Sequence, residues 1–338
     1  MRPPEFWKDK AQIESRDAAV VLKALLTPVS WAYAAVAAHR QRTTISRHAS
    51  VPVICIGNFT VGGAGKTPIS RAIRAKLGPH AHTLSRGYGG RAIGPLRVTP
   101  DMEASEVGDE PLLHARDGAA WVSRDRFAGA LAAAQAGAHV IIMDDGFQNP
   151  ALAKDLNIIA VDPAYGVGNG QVFPAGPLRE RLNAGLARAD AIVMLHNTWS
   201  EDTPEQPGWL NAFRKPVLQA AVSPIGEAPS GTLIAFAGLA RPEKFFDTLE
   251  AVGADVADVV PYPDHHPYTE DDLNWLAQMA DERGAKLITT EKDAARLAPA
   301  WRERVAVLPV AARFADEAAL DALLAPIQSR ITAAHGEA

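Results

Sequence analysis

The sequence predicts an α/β protein with a mostly parallel sheet flanked by helices, an N-terminal amphipathic helix and a second, smaller α/β domain. From Val51 onward, short continuous apolar runs alternate with helical stretches, which is typical of parallel strands covered on both faces. After an irregular stretch, "PEQPGWLNAFRKP", a second series of the same kind begins. We therefore expect a helical segment at 1–50, a main domain at 51–222 and a smaller domain at 223–338.

Composition excludes some classes of function. The chain has 338 residues and a formal net charge of −5, so no overall attraction to nucleic acid is expected. Through Ser50, eight Lys and Arg stand against four Asp and Glu, which leaves this segment basic and the remainder acidic. The single cysteine, Cys55, cannot form an internal disulfide and indicates a reducing compartment. We expect neither a nucleic acid nor a required protein partner.

The N-terminal segment carries an apolar stripe at helical spacing, interrupted only by Pro28 and flanked by basic residues. This pattern suits a helix lying on an anionic membrane surface, and it also suits a helix packed against the domain's own core. The sequence has no signal peptide and no run of about 18 uncharged apolar residues, so we expect a soluble or peripheral protein. The stripe consists of Ala18, Val21, Leu22, Leu25, Val29, Ala32, Tyr33 and Val36.

A glycine-rich stretch, "GNFTVGGAGKTP", follows the apolar run "VPVICI" and precedes a helix predicted from Thr67 to about Leu77. Glycines let backbone N–H groups turn toward an anion, Lys66 can reach the β- and γ-phosphates, and Thr67 can offer its hydroxyl to Mg²⁺. The usual motif has Gly six positions before the lysine, where this chain has Thr60. We predict a phosphate loop formed by Thr60, Val61, Gly62, Gly63, Ala64, Gly65, Lys66 and Thr67.

Two adjacent acids, Asp144 and Asp145, end the apolar run in "HVIIMDDGFQ". A phosphate loop needs a carboxylate at the end of a neighbouring strand to hold the Mg²⁺ shell. Adjacent acids also repel each other unless a cation lies between them and the phosphates. The alternative is an ordinary Asp-Gly surface turn. Because the preceding run predicts a buried strand, we favour the metal role for both acids.

A phosphate loop alone does not separate GTPases, motor ATPases and small-molecule kinases. The guanine-reading N-K-x-D pattern is absent from the sequence, since the nearest stretch, "TTEKDAARL", has Lys292 and Asp293 adjacent. A kinase needs a base near the acceptor hydroxyl. "EVGDEP" places Asp109 and Glu110 in a loop framed by Gly and Pro, and "YPDHHPY" carries an acid and two histidines in the second domain.

Seven stretches in this order resemble the tetraacyldisaccharide 4′-kinases of lipid A biosynthesis: "VPVICIGNFTVGGAGKTP", "LSRGYGG", "VGDEP", "DDGFQ", "FPAGPLRE", "DHHPY" and "TTEKD". The resemblance runs from the N-terminal helix to about Pro309, and the family's loop shares the Thr at position 60. It implies transfer of the γ-phosphate of ATP, with Mg²⁺, to the 4′-hydroxyl of a tetraacylated glucosamine-disaccharide 1-phosphate, giving lipid IVA. It also implies a peripheral enzyme on the cytoplasmic face of the Gram-negative inner membrane.

The resemblance further assigns the groups that handle the triphosphate. It implies that Lys66 is catalytic as well as nucleotide-binding, because its charge lies on the phosphoryl group being transferred. It implies that Thr67 contacts Mg²⁺ and that Asp144 and Asp145 lie near the metal, with Asp145 among the catalytic residues. These roles agree with those that the residue types suggest by themselves.

For the acceptor side, the resemblance implies that Asp109 is the catalytic base and that the His of "DHHPY" is its partner. We assign the partner's role to His266, with His265 as the alternative, and expect the histidine to align Asp109 and raise its pKa. The family often has His where this chain has Asn149, which keeps a donor and an acceptor but no titratable ring. Residues expected to line the nucleotide and sugar-phosphate sites are Arg86, Glu110, Arg124, Gln148, Asn149, Arg179, Glu180 and His265.

Two other functions remain to be distinguished from this one. A P-loop ATPase or GTPase switch acting on a protein partner would hydrolyse nucleotide without any lipid. A kinase for a soluble small molecule would not need the N-terminal helix. In both cases the phosphate loop would be used, but the acceptor would differ.

Overall fold

The computed structural model describes residues 4–7, 16–63, 65–199, 207–227 and 229–335. Its strands are β1 (Val53–Gly57), β2 (Ala81–Ser85), β3 (Leu96–Val98), β4 (Ala120–Val122), β5 (Val140–Asp144), β6 (Leu156–Val161), β7 (Ala191–His196), β8 (Val217–Pro224), β9 (Leu233–Ala237), β10 (Val256–Pro261), β11 (Lys286–Thr290), β12 (Ala306–Leu308) and β13 (Val310–Phe314). Its α-helices are α1 (Arg16–Thr43), α2 (Lys66–Leu77), α3 (Ala104–Val107), α4 (Asp109–Asp117), α5 (Arg126–Gln135), α6 (Leu182–Arg188), α7 (Glu243–Ala251), α8 (Glu270–Arg283), α9 (Glu291–Ala294), α10 (Pro299–Arg302) and α11 (Glu317–His335).

The strands form two sheets. The larger has nine strands in the order β13-β8-β7-β6-β1-β5-β2-β4-β3, and the smaller has four in the order β10-β9-β11-β12. Neighbouring strands are parallel throughout, except for the antiparallel pairs β8–β13 and β3–β4 at the two edges of the larger sheet. The predicted mostly parallel α/β fold with a second, smaller sheet is therefore confirmed.

Strand β1 lies near the middle of the larger sheet because its five residues are all apolar or glycine and all buried. It pairs with β5 on one side and β6 on the other. On one face, Ile69 and Ile73 of α2 share a buried cluster with Leu320 and Leu324 of α11. Helix α5 covers the opposite face with small residues such as Ala133. Both faces are thus covered, as continuous apolar strands require.

Helix α1 continues through Pro28 as one helix and lies against the loop that follows β6. The Ser30 hydroxyl accepts a hydrogen bond of 2.9 Å from the Ala175 N–H, and the rings of Tyr33 and Phe173 meet edge to face at 5.7 Å. These contacts attach one side of the helix to the main domain. The helix therefore packs on the domain and at the same time has a free side.

Most of the predicted apolar stripe lies on that free side of α1. Leu25 is 69% exposed and Val36 is 68% exposed, and Val21, Val29 and Trp31 are exposed as well. We expected no segment that could span a bilayer, but Val21–Thr43 is long and apolar enough to do so by length and composition. Our expectation was wrong because the three basic residues of this segment lie near its two ends and do not interrupt its apolar middle.

The C-terminal end of the chain returns to the larger sheet. We expected residues 223–338 to form the smaller domain, but β13 pairs antiparallel with β8, from Val310 opposite Pro224 to Phe314 opposite Ala220. Helix α11 then packs on the face that α2 covers. The smaller domain of the structure is therefore an insertion, β9 to β12, between two adjacent strands of the larger sheet.

Candidate active site

The phosphate loop connects β1 to α2 at the carboxyl edge of the larger sheet. Gly62 has a φ of 110° and Gly65 a φ of 71°, which are backbone conformations that side chains with a Cβ rarely adopt. Lys66 and Thr67 are the first two residues of α2, where unpaired backbone N–H groups and the helix dipole favour an anion. Ala64, which we also predicted for the loop, lies outside the described residues.

Hydrogen bonds with residues outside the loop fix its first half. The Asn58 side-chain amide donates to the carbonyls of Thr60, at 2.8 Å, and of Gly62, at 3.2 Å. The Val61 N–H donates to the Pro177 carbonyl at 2.8 Å. Contacts within the chain therefore support the shape of the loop. Asn58 lies within the stretch "GNFTVGGAGKTP", but the motif pattern by itself assigns it no role.

Asp144 ends β5 and lies beside the loop because β5 pairs with β1 in parallel register. The Thr67 hydroxyl is 3.3 Å from Asp144 Oδ2, and His114 Nε2 is 2.8 Å from the same oxygen. The other oxygen, Oδ1, is buried without a hydrogen-bond partner. A hydroxyl and an unpaired carboxylate oxygen at the start of the P-loop helix fit a hard divalent cation that prefers oxygen ligands. Nothing local in the helical sequence around His114 marks it as a neighbour of this site.

Asp145 follows β5 in a left-handed conformation, with a φ of 54°, which turns its carboxylate toward the phosphate loop. Its Oδ1 lies 2.7 Å from Arg179 Nη1 and 3.6 Å from Lys66 Nζ. Burial by itself would raise the pKa of this carboxyl, but the positive charges of Lys66 and Arg179 lower it to about 2. Asp145 is therefore an anion that orients both cations at the loop.

Asp109 begins helix α4, whereas we expected a loop. It is buried, and its Oδ2 lies 3.0 Å from His265 Nδ1, 2.9 Å from Arg296 Nε and 3.9 Å from Lys292 Nζ, all on the smaller domain. Burial opposes ionisation, but the hydrogen bond from His265 and the charges of Lys292 and Arg296 hold the pKa of this carboxyl well below its ordinary range. The expected rise in the pKa of Asp109 is thus replaced by a fall.

The histidine next to Asp109 is His265, and our assignment of His266 is corrected. His266 Nε2 lies 3.0 Å from Asp272 Oδ2, and its ring stacks on Tyr262 at 4.6 Å. Asp272 belongs to the capping box of α8, so His266 is tied to the start of that helix. His265 adopts a φ of 58°, and this turn sends its ring to the opposite side, toward Asp109.

A second polar cluster contacts the start of the phosphate loop. Gln148 donates from Nε2 to the Asn58 carbonyl at 3.1 Å and to Glu180 Oε1 at 3.2 Å, while Arg179 Nη1 is 3.4 Å from Gln148 Oε1. Glu180 also pairs with Arg188. Gln148, Arg179 and Glu180 are therefore brought together, as the prediction of a shared site requires.

The remaining predicted residues lie farther out. Glu110 pairs with Lys292 across the two domains at 3.2 Å. Asn149 uses its side-chain oxygen to accept from the Ala151 N–H at 2.9 Å, so it closes a turn beside the cluster. Arg86 and Arg124 are exposed residues that follow β2 and β4 at the carboxyl edge of the sheet. Among the residues that the structure describes, these two arginines lie on the rim and have no specific partner in the site.

A further link between the domains was missed by sequence reasoning. Asp162, which is buried after β6, contacts both Arg241 and Lys244 of the smaller domain. Arg241 Nη2 also lies 3.4 Å from the Gly63 carbonyl of the phosphate loop. These charged residues lie far apart in sequence, so no local pattern predicts their contact. The smaller domain thus contacts the main domain at Asp162 and at the phosphate loop, in addition to Asp109.

The fold and this site define a P-loop kinase, with a phosphate loop on the main domain and an acid–histidine pair closed by the smaller domain. A family model described as tetraacyldisaccharide-1-P 4′-kinase, LpxK, matches residues 22–328. The chain therefore belongs to the tetraacyldisaccharide 4′-kinase family. It is an ATP-dependent phosphotransferase with an alcohol acceptor, as the sequence predicted. Membership of this family excludes the two alternatives, a P-loop switch acting on a protein partner and a kinase for a soluble small molecule.

Full-length relatives agree with this assignment. A tetraacyldisaccharide 4′-kinase of Phenylobacterium zucineum is 50% identical over 328 residues, covering 95% of this chain and 98% of the relative. One of Hyphomonas neptunium is 46% identical over 334 residues, covering 98% and 99%. The crystal structure of LpxK from Aquifex aeolicus in complex with ATP matches with a TM-score of 0.73 at 30% identity, covering 90% of this chain and 99% of that one.

Proposed function

We propose that the cleft between the two domains transfers the γ-phosphoryl group of ATP to the 4′-hydroxyl of tetraacyldisaccharide 1-phosphate, with Asp109 and His265 as the proton-accepting pair. The observation that carries this proposal is the 3.0 Å contact between Asp109 Oδ2 and His265 Nδ1, which joins the two domains. Such a transfer depends mainly on positioning and charge stabilisation. The site supplies both from residues of its own chain.

On the nucleotide side, the loop N–H groups and Lys66 hold the triphosphate, and Asp145, which also pairs with Arg179, keeps Lys66 in place. Thr67 and the unpaired oxygen of Asp144 would hold Mg²⁺. When bound, that ion neutralises charge on the β- and γ-phosphates. The fixed cations of the loop act in the same direction, which lowers the cost of the charge that develops during transfer.

On the acceptor side, a hydroxyl must lose its proton as it attacks phosphorus. Asp109 comes from the main domain and His265 from the smaller domain, so the pair is complete only when the domains are together. The same closure excludes water, which limits wasteful hydrolysis of ATP. Gln148, Glu180 and Arg179 form a cluster that contacts the start of the loop, and in this proposal the sugar phosphate lies along that cluster.

We also propose that the enzyme works as a peripheral protein at an anionic membrane surface. The acceptor is a lipid, and the free side of α1 presents exposed apolar residues such as Leu25, Trp31 and Val36. Arg40, Arg42 and Arg47 follow at the end of the helix and are exposed. Apolar burial combined with a basic flank is the physical basis of interfacial binding. In this proposal the location is the cytoplasmic face of the inner membrane, and no protein partner is required.

The test is transfer of radiolabelled γ-phosphate to tetraacyldisaccharide 1-phosphate in detergent micelles by the purified protein alone. Lys66→Ala is the control for the phosphate loop. Asp109→Asn should reduce turnover by about 10²–10⁴-fold with a smaller change in ATP affinity. Asp117→Asn is the matched control, because Asp117 ends the same helix and pairs with Arg71 outside the site.

Label in the lipid with the native protein and with Asp117→Asn, and strong loss with Asp109→Asn, is the expected result. If Asp109→Asn retains full turnover, Asp109 has no part in accepting the proton. If phosphate is released steadily while the lipid stays unlabelled, the proposed acceptor is wrong, although the phosphate loop is used.

A further inference from the structure

A cavity of about 340 Å³ lies beside the end of helix α1. Its walls come from the last residues of α1 and the turn after it, from the segment between β5 and β6, and from the end of α6 and the residues that lead into β7 and β8. All of these elements belong to the main domain, and none of the lining residues that the structure describes belongs to the phosphate loop. The volume is sufficient for a small molecule or for the headgroup of a lipid.

The lining of this cavity is rich in positive charge. Lys154, Arg188 and Lys215 line it, and Asp190 is the single acid among its described lining residues. Both oxygens of Asp190 are occupied, since Oδ1 lies 3.0 Å from Lys215 Nζ and Oδ2 accepts from the Asn157 N–H at 2.9 Å. Three cations against one acid leave an excess of two positive charges, which favours an anionic occupant.

Lys154 is the cation of this cavity that has no acidic partner. Its Nζ donates to the Asn149 carbonyl, and among the described residues it forms no ion pair, whereas Arg188 pairs with Glu180. Burial lowers the pKa of the Lys154 ammonium, and the positive charge of Arg188 adds to this effect. An anion in the cavity would supply the negative charge that the chain does not place beside Lys154.

Contacts within the chain hold the other two cations against the wall. Arg188 Nη1 donates to the Phe147 carbonyl at 3.1 Å, and its guanidinium lies 4.2 Å from the centre of the Phe147 ring. Lys215 Nζ donates to the Ala189 carbonyl at 2.6 Å. Side chains that are already held in place lose little conformational freedom when they bind a ligand.

Neutral donors complete the lining. The hydroxyls of Thr44 and Ser46 and the side-chain amide of Gln41 line the cavity from the end of α1. A phosphate monoester offers three strong acceptor oxygens and close to two negative charges, whereas a carboxylate offers two oxygens and one charge. The number of donors and the excess of positive charge therefore fit a phosphate monoester better than a carboxylate.

We propose that this cavity is a second anion site, which binds the phosphate monoester group of a ligand other than ATP and the acceptor through Lys154, Arg188 and Lys215. Two sources share this chemistry. One is a soluble phosphate ester, and the other is a lipid whose headgroup is a phosphate monoester. The lipid is included because Ile45, which lies between two lining residues in the chain, is 85% exposed, and the neighbouring Arg42 is exposed as well.

The test is protection of the Lys154 amine from acetylation in the native protein, followed by mass spectrometry. The soluble probe is sn-glycerol 3-phosphate, and the lipid probe is phosphatidic acid in micelles of a maltoside detergent. A probe at about ten times its Kd should slow acetylation of Lys154 about tenfold, because only about a tenth of the cavities are then empty. Lys286 is the matched control, since it also donates to a backbone carbonyl, that of Ser230 at 3.2 Å, but lies outside the cavity.

A variant tests the cavity independently of that reaction at Lys154 alone. Lys215→Gln should raise the Kd of the bound probe about tenfold, because the change removes one cation and leaves Asp190 without its ammonium partner. Lys286→Gln should leave the Kd unchanged. Protection by glycerol phosphate assigns the site to a soluble ester, and protection by phosphatidic acid alone assigns it to a lipid headgroup.

Four results would overturn the proposal. The first is that neither probe protects Lys154, and the second is that Lys215→Gln binds the probe as tightly as the native protein does. The third is equal protection by oleate in the same micelles, which would mean that only the charge of the micelle matters. The fourth is protection by tetraacyldisaccharide 1-phosphate alone, because the cavity would then belong to the acceptor site.

Discussion

The Cδ2 atom of Leu195 lies 2.2 Å from the position that a Cβ on Gly65 would occupy. Leu195 belongs to β7, so the body of the sheet and not only the loop limits the residue at position 65. Gly65 also has a φ of 71°, in the left-handed region where a Cβ is strained. The positive φ therefore favours glycine just before Lys66, and a Cβ there would also force the end of the Leu195 side chain to shift.

We expect Gly65→Ala to lower the free energy of unfolding by about 2 kcal/mol or more, since the backbone strain and the clash add together. Gly63→Ala is the matched control in the same loop, because a Cβ there meets nothing within 4 Å. It should stay within about 0.5 kcal/mol of the native protein. Denaturant unfolding without nucleotide measures both, and equal midpoints for the two variants would contradict the constraint from Leu195.

The carboxyl of Asp145 links stability to pH. Its pKa falls from 3.8 to about 2 on folding, so its contribution is present above pH 3.8 and is lost as the pH falls toward 2. The difference in free energy of unfolding between the native protein and Asp145→Asn should therefore shrink as the pH is lowered from 5 through 4 to 3. Chemical unfolding at each pH measures this difference. A difference that stays constant over that range would mean that Lys66 and Arg179 do not hold Asp145 ionised.

The free side of α1 is expected to control binding to membranes. Leu25→Glu or Val36→Glu should weaken sedimentation with anionic phospholipid vesicles about tenfold or more, because each change removes an apolar side chain from the bound surface. Val259→Glu, an exposed apolar position on β10, is the matched control and should bind as the native protein does. Unchanged binding of the α1 variants, with folding intact, would mean that another surface meets the membrane.

Much of the main domain and its nucleotide side could be predicted from local sequence. Continuous apolar runs identified the parallel strands, and the carboxyl ends of parallel strands meet at one edge, which brings Asp144 and Asp145 to the phosphate loop. Lys66 and Thr67 follow from the loop motif, and their positions depend only on the strand before them and the helix after them.

The acceptor side depends on contacts that local patterns do not contain. His265 and His266 are adjacent and chemically identical, and only the left-handed turn at His265 and the capping box of α8 send them in opposite directions. Arg296 lies 187 residues from Asp109, so no periodicity connects them. For the same reason β13 was assigned to the nearer sheet, although its partner is β8, on the other side of an inserted domain.

The return of the chain to β8 has a consequence for synthesis on the ribosome. The last strand of the larger sheet to be synthesised is β13, so this sheet lacks that edge strand until residues 310–314 have been made. A nascent or truncated chain that stops before residue 310 would leave β8 as an open edge, and such edges pair readily with other chains. Loss of the chain from residue 310 onward would thus cause aggregation, although this part of the sequence lies far from the phosphate loop.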